Sequence, residues 1–372
     1  MNQTLVSYLS QYEFYDVILD LFGKNQGLLA FTIYLIFALI IVGLCATIGG
    51  LGTYAERKIS ADLQQRIGPN RVGPYGILQF LADGVKMMTK EDIMPFTADK
   101  FLFYLAPVLA LVGVFATLAV LPWSSGLMMA DLNVGVFYLI AISSLVGVAV
   151  FLGGYASNSK WSMLGGMRGA SQIISYEIPV TISILAITLL AGGMSFGTIL
   201  GHQKGLPMNW FIFHNPFAFI AFFVYALGAL AETNRAPFDL PEAESELVSG
   251  YHTEYTGMRF GFFALAEYIE VFVVCGVGAA LFLGGGNLPF NVEIDILPLQ
   301  LVEAIIFITK SLLLYYVVIW IRWTFPRLRV DQLMSICWKY LTPIAIFNLI
   351  GCAVWLVMFN GKSMAALIFG SH

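Results

Sequence analysis

The feature that most restricts what this chain can fold into is a series of eight long apolar runs: 28–53, 101–122, 134–154, 173–193, 211–231, 258–283, 300–321 and 340–359. About 20 consecutive apolar residues suffice for a helix to cross the ~30 Å hydrocarbon core of a bilayer. A transmembrane barrel instead needs shorter, alternating strands, and these runs are continuous. The fold class expected is therefore an all-α polytopic membrane protein with about eight transmembrane helices. Composition excludes an ordinary soluble domain, since 59% of the residues are hydrophobic and only 11% charged. The organisation expected is an N-terminal segment 1–27 on the outer surface, a single transmembrane domain 28–360 and an outer tail 361–372.

Lysine and arginine set membrane orientation, and here they alternate from one connection to the next. The connection 54–100 carries Arg57, Lys58, Arg66, Arg71, Lys86, Lys90 and Lys100, whereas 123–133 carries none. Over the whole chain one side holds 15 basic residues and the other 3, with Lys310 inside a run. Both termini are expected outside, with loops 54–100 and 232–257 inside. No cleavable signal peptide is expected, because the first 22 residues lack a basic residue and contain Glu13, Asp16 and Asp20.

Cofactor chemistry finds little support in the chain itself. Cys45, Cys275, Cys337 and Cys352 are scattered, without CxxC or cluster-ligand spacing, and read as packing residues. His202, His214, His252 and His372 are too dispersed for two to clamp a haem within the bilayer. A GxxxxGK[ST] phosphate loop is absent, so any redox centre or energy source is expected on other chains.

Chemistry concentrates instead in the stretch 231–257, where Glu232, Asp239, Glu242, Glu244, Glu246 and Glu254 lie between two apolar runs, six of the chain's 23 carboxylates. Asp239-Leu240-Pro241-Glu242 reads as a helix start, with Asp239 as N-cap and Glu242 reaching back in a capping box. On the helix that follows, Glu242 and Glu246 are expected to share a face. A solvated acidic loop has the same charge pattern. Phe238, Leu240, Leu247, Val248, Tyr251 and Tyr255, interleaved with the acids, argue for burial.

The first inner connection is the second unusual stretch. Ile59, Leu63 and Ile67 make one apolar stripe, and Ile77, Phe80, Leu81, Val85 and Met88 another, so two interfacial helices are expected, separated by Gly68-Pro69 and Gly73-Pro74. One reading is a loop resting on the headgroups. The other is a lateral gate, where an amphiphile's polar head meets Glu56, Arg57, Arg66 and Arg71.

Ionisable groups also occur inside the runs, where each costs at least ~2.5 kcal/mol if charged and facing lipid. Glu177 is expected near the inner end of the fourth run. Glu267 and Glu270 share a face of the sixth. Glu303 and Lys310, in the seventh, stand two turns apart, too far for a close ion pair on one helix. Pairing across helices would serve packing. A proton relay is the alternative, because burial and neighbouring carboxylates let glutamates hold protons near neutral pH.

Five segments carry a resemblance to a known family: AERK from Ala55, QQRIGPNRVGP from Gln64, ISYEIP from Ile174, AETNRAPFDLPEAESELVSGYHTEY from Ala231 and RWTFPRLRVDQLM from Arg322. Over about 55–360 the chain resembles the family of membrane subunits that joins the redox arm to the membrane arm in bacterial proton-pumping NADH:quinone oxidoreductase, respiratory complex I. The mitochondrially encoded NADH dehydrogenase subunit 1 is of the same family. The resemblance implies a chain that walls the quinone channel and links quinone reduction to proton translocation. It implies a channel wall including Glu56, Arg57, Asp62, Arg66, Arg71 and Arg235, and linking carboxylates Glu177, Asp239, Glu242, Glu244, Glu246 and Glu254. Glu267, Glu270, Glu303 and Lys310 join the proton path on the burial argument. Quinone, as ubiquinone or menaquinone, is the implied substrate, with FMN and iron–sulfur clusters on partner subunits. The implied partners are the quinone-site and terminal iron–sulfur subunits of the peripheral arm and the small and antiporter-like membrane subunits, and the implied place is the bacterial cytoplasmic membrane. A membrane-bound hydrogenase-type complex uses a similar subunit. A free-standing ion transporter is a third possibility, although inverted repeats are not evident.

Overall fold

The computed structural model describes residues 26–124, 127–205, 207–242, 244–288, 299–359 and 363–364. The N-terminal segment up to 25 and most of the tail after 359 lie outside this set. Within it the chain is helical throughout its spans. Seven helices are long and apolar enough to cross a membrane: α1 (Gln26–Leu63), α3 (Lys100–Leu118), α4 (Gly135–Ala156), α5 (Lys160–Ala191), α10 (Gly257–Phe282), α11 (Leu299–Thr324) and α12 (Val330–Phe359). The remaining apolar run, 211–231, becomes the 17-residue α8 (Pro216–Glu232). It is preceded by the one-turn α7 (Phe211–His214) rather than running on from 211. Asn215 accounts for that break, because its Oδ1 caps α8 by accepting from the Ala218 N–H, with Pro216 at the first helical position. Two further short helices are α2 (Gln79–Thr89) and α6 (Phe196–His202).

α5 and α10 are the centre of the bundle. α5 packs on α4, α8 and α12, and α10 packs on α3, α11 and α1. Small residues set the closeness of these contacts: a side chain on Gly154 of α4 would meet the backbone of Ser162 and Gly166 on α5. α1, α11 and α12 keep mostly exposed apolar faces, suited to lipid or to neighbouring subunits.

Two irregular helices meet where α5 crosses α12. Pro179 has no N–H for the Ser175 carbonyl one turn back, and that carbonyl instead accepts from Cys337 Sγ at 3.0 Å. Cys337 lies in a π-helical segment of α12, Ile336–Leu341. The Tyr176 hydroxyl donates to the Leu333 carbonyl at 2.9 Å from the other side. Each helix supplies a donor or acceptor at the other's irregular turn.

Two expectations are corrected here. Ile59 and Leu63 do not belong to a separate interfacial helix, because α1 runs unbroken for 38 residues, about 57 Å at 1.5 Å per residue. It therefore projects well beyond a ~30 Å hydrocarbon core. Only the second stripe forms its own helix, α2, seated with the Phe80 ring against Gly50 of α1. The helix expected from Asp239 is also shorter and later, a single turn α9 (Glu244–Leu247). Glu242 lies in a turn before it, so the shared face of Glu242 and Glu246 does not form.

That turn is held by Gly250, whose φ is +59° and whose α-hydrogen faces the Pro241 carbonyl oxygen. A β-carbon there would collide with the carbonyl and force a residue other than glycine into the left-handed region. Gly250→Ala is expected to lower stability by about 1–3 kcal/mol. Thermal unfolding of the purified assembly checks this, and an unchanged midpoint would show that the turn tolerates the side chain.

Candidate functional site

The site begins with one buried carboxylate between two guanidiniums. Glu56, near the end of α1, pairs with Arg235 Nη1 at 3.0 Å and with Arg322 at the end of α11. Glu56 and Arg235 are 7% and 6% exposed, low enough that water screens neither. The Arg235 guanidinium also stacks on the Tyr268 ring, 4.1 Å from its centroid. Burial works against the Arg235 charge, but Glu56, Tyr268 and Glu267 outweigh it and hold the group firmly protonated. Gln172 of α5 fixes the turn that carries Arg235, donating from Nε2 to the Ala231 and Phe238 carbonyls at 2.7 Å and to Asn234 Oδ1 at 3.1 Å.

The acidic loop folds back over this cluster. Burial pushes the Asp239 carboxyl upward, opposed by the nearby Arg322 and Arg327 charges. Burial likewise pushes Glu242 well above the ordinary carboxylate range, and the charges of Glu267 and Asp239 push it further. Glu267, on α10, accepts from the buried Tyr251 hydroxyl at 2.6 Å. His252 Nδ1 lies 3.8 Å from Glu242.

Deeper in the bundle, Glu177 of α5, Glu232 at the end of α8 and Glu270 of α10 line one cavity with Ser143 and Tyr225. It encloses about 30 Å³, room for about two waters. Glu270 lies within electrostatic reach of both Glu232 and Glu267. Successive members of the series Asp239, Glu242, Glu267, Glu270, Glu232, Glu177 thus lie within electrostatic reach of one another.

Other residues singled out from sequence lie elsewhere. Arg57 bridges α1 to α2 through Asp83 at 2.6 Å. Asp62, Arg66 and Arg71 are exposed around the end of α1, with Arg66 Nε donating to Gln64 Oε1. Glu246 is exposed, and the hydrogen bond from Arg168 holds its carboxyl below the usual range. Glu254 is half-buried. The Glu244 side chain lies outside the described set. Glu177 is midway along α5 rather than near its end, because that helix continues to Lys160.

Glu303 and Lys310 sit toward the other end of α10. Glu303 accepts from the Ser124 hydroxyl at 2.7 Å. Lys310 donates to the Leu283 and Gly285 carbonyls and lies 4.2 Å from the Trp210 ring centroid. Leu283 is roughly 20 Å along the helix axis from Glu270.

Sequence reasoning counted Glu232 in the acidic stretch and Tyr251 among its apolar residues but gave neither a place in the site, and it singled out neither the Arg322 side chain nor Gln172. Glu232 and Arg322 did carry a signal, since each terminates an apolar run inside a quoted motif. Gln172 carried none. Among the described residues no three His, Cys, Asp or Glu side chains are grouped to hold a metal ion.

Residues 35–353 match the family model described as NADH dehydrogenase. The chain belongs to that family. It is 44% identical over 349 residues to the H subunit of NADH-quinone oxidoreductase from Anaeromyxobacter dehalogenans, covering 90% of this chain and 84% of that protein. It is 47% identical over 334 residues to the H subunit from Bacteroides fragilis strain YCH46, covering 87% and 91%. For the Salinibacter ruber protein of the same name the identity is 43% over 337 residues, covering 88% and 97%. The NADH dehydrogenase match takes in every described residue of the carboxylate line and of the Glu56 cluster.

Glu56→Gln is expected to cost about 3–5 kcal/mol, since it leaves the buried Arg235 guanidinium and the part-buried Arg322 without their carboxylate. Arg57→Gln, at the exposed pair with Asp83, is expected to cost under about 1 kcal/mol. Thermal unfolding of the assembled complex separates the two, and equal shifts would refute the burial argument.

Glu242 also gives a pH signature. A carboxyl whose folded pKa lies above its unfolded value binds more protons when folded between the two, so its stabilising contribution falls as pH rises through that window. The wild-type midpoint is expected to decline with pH more steeply above about pH 4.5 than that of Glu242→Gln, by up to ~1.4 kcal/mol per pH unit. Parallel curves would mean that Glu242 is not shifted.

Proposed function

We propose that the chain, as a membrane subunit of NADH-quinone oxidoreductase, couples quinone chemistry at its Glu56–Arg235–Arg322 cluster to proton movement along the buried carboxylates. The observation that carries this reading is the unbroken line from Asp239 to Glu177, ending in a cavity with room for water. Arg235 and Arg322 form a cationic patch beside the acidic loop. With Arg57, Asp62, Arg66 and Arg71 around the end of α1, they form this chain's part of the channel wall, and a quinone head group lodges there between this subunit and the peripheral arm.

Reduction of the quinone draws protons and changes the charge facing Asp239 and Glu242. Burial and the neighbouring Glu267 and Asp239 charges hold the Glu242 carboxyl above the ordinary range, so a change of charge at the cluster releases or recruits its proton. Glu270 and Glu232 pass the shift on to Glu177 across one or two waters. Glu246 and Glu254 serve the loop's surface, and Glu303 and Lys310 stand apart from the relay. FMN and the iron–sulfur clusters belong to partner subunits. The chain lies in the bacterial cytoplasmic membrane as one transmembrane unit with its basic loops inside, toward the peripheral arm. Identities of 43–47% to quinone oxidoreductase subunits favour this enzyme over a hydrogenase-type assembly.

In the purified complex reconstituted into vesicles, Glu232→Gln is expected to slow quinone-coupled proton uptake on the order of 100-fold, the contribution of a positioned proton-transfer group. Glu246→Gln is expected to leave it within about twofold, as an exposed pair contributes little. Unchanged pumping with Glu232→Gln would sink the relay.

A further inference from the structure

On the basic-loop side, away from the carboxylate line, the start of α3, the end of α4 and the start of α5 surround a hollow of about 360 Å³. Its lining includes Asp99, Tyr155, Asn158, Lys160 and Met163. We propose that this hollow is a binding site for the headgroup of a phosphoethanolamine lipid.

The argument rests on two opposite charges that share the hollow without meeting. Asp99 accepts the Phe101 and Leu102 N–H groups at the start of α3 through Oδ1 alone, leaving Oδ2 without a partner among the described residues. Lys160 is exposed and makes no hydrogen bond or ion pair among the described residues. The Asn158 side chain donates to the Thr97 carbonyl at 3.1 Å and the Asp99 N–H to the Ala156 carbonyl at 3.1 Å, so the start of α3 is tied to the α4–α5 connection that leads into Lys160. A phosphoethanolamine group presents the complementary pair, a phosphate for Lys160 and a primary ammonium for Asp99 Oδ2.

The depth suits a headgroup. α3 has 19 residues, about 28 Å, so its first turn lies at the membrane boundary. Tyr155 lines the hollow and is 52% exposed, and Trp161, the residue after Lys160, is 55% exposed. Such rings favour the headgroup region, where one end is apolar and the other wet. A glycerol headgroup would leave the Asp99 carboxylate facing no cation, and a quaternary choline could donate it no hydrogen bond.

The test uses the whole complex in nanodiscs of phosphatidylcholine doped with photoactivatable phosphatidylethanolamine, with phosphatidylglycerol as comparison. Label is expected on the peptides bearing Asp99 and Lys160, competed by unlabelled phosphatidylethanolamine and not by phosphatidylglycerol. Lys160→Gln and Asp99→Asn are each expected to reduce it about fivefold, the change a single charged contact near the surface carries. Asparagine still caps α3, so the helix start survives, and retained NADH:quinone activity reports intact assembly. Equal labelling by both lipids, or full labelling of both variants, would overturn the proposal in favour of ordinary bilayer contact. Cross-linking of this surface to another subunit in place of lipid would overturn it in favour of a protein interface.

Discussion

The buried Glu56 carboxylate is the interaction on which the rest of this structure depends. It is shared by Arg235 and Arg322, so it joins α1, the turn after α8 and the end of α11, three segments far apart in sequence. Removing ions from water is costly, and only close geometry with further partners offsets the loss. Arg235 has such a partner in the Tyr268 ring, and Arg322 lies in the field of Asp239. One carboxylate against two guanidiniums leaves an excess positive charge. That excess is what makes a crowded acidic loop tolerable beside it.

The same charge imbalance explains why the carboxylates are not all alike. Asp239 stands closest to the arginines and has its upward shift opposed by them, whereas Glu242 faces Glu267 and is pushed further up. Glu246, a few residues on, is pulled the other way by Arg168 on the surface. Three acids of one loop thus occupy three electrostatic environments within eight residues. A loop of uniformly solvated acids could not hold a proton at one position and a charge at another.

Much of this was legible in the sequence because bilayer physics leaves few choices. Long apolar runs must be helices, since no water satisfies their backbone groups, and seven of the eight runs lie in helices of spanning length while the run 211–231 yields the shorter α8. What sequence periodicity could not give was where helices end. α1 continues past its apolar run because the polar segment that follows is also a good helix former, whereas α5 starts 13 residues before its run, through a segment whose Gly165, Gly166 and Gly169 pack closely on neighbouring backbone and side chains. α9 starts late because the Pro241–Gly250 contact imposes a turn where a capping pattern was read. The resemblance brought out Glu56 and Arg235 as members of one wall but could not pair them, because their contact spans 179 positions of chain. Gln172 left no trace, being an ordinary polar residue until three acceptors from another segment converge on its amide.

Close packing decides what the carboxylate line can carry. Gly154 of α4 and Gly166 of α5 let those helices approach until backbone nearly meets backbone, and Gly228 of α8 lies against Val180 of α5. The space left among Glu177, Glu232 and Glu270 is accordingly small, and apart from those acids its lining is mostly Val, Ile, Leu and Thr. A hydrated metal cation keeps several waters and cannot shed them cheaply among such side chains, whereas one or two waters bridging carboxylates suffice to relay a proton. The selectivity of such a line needs no dedicated filter. In the relay proposed above it follows from helices that glycine brings too close together to admit anything larger than water.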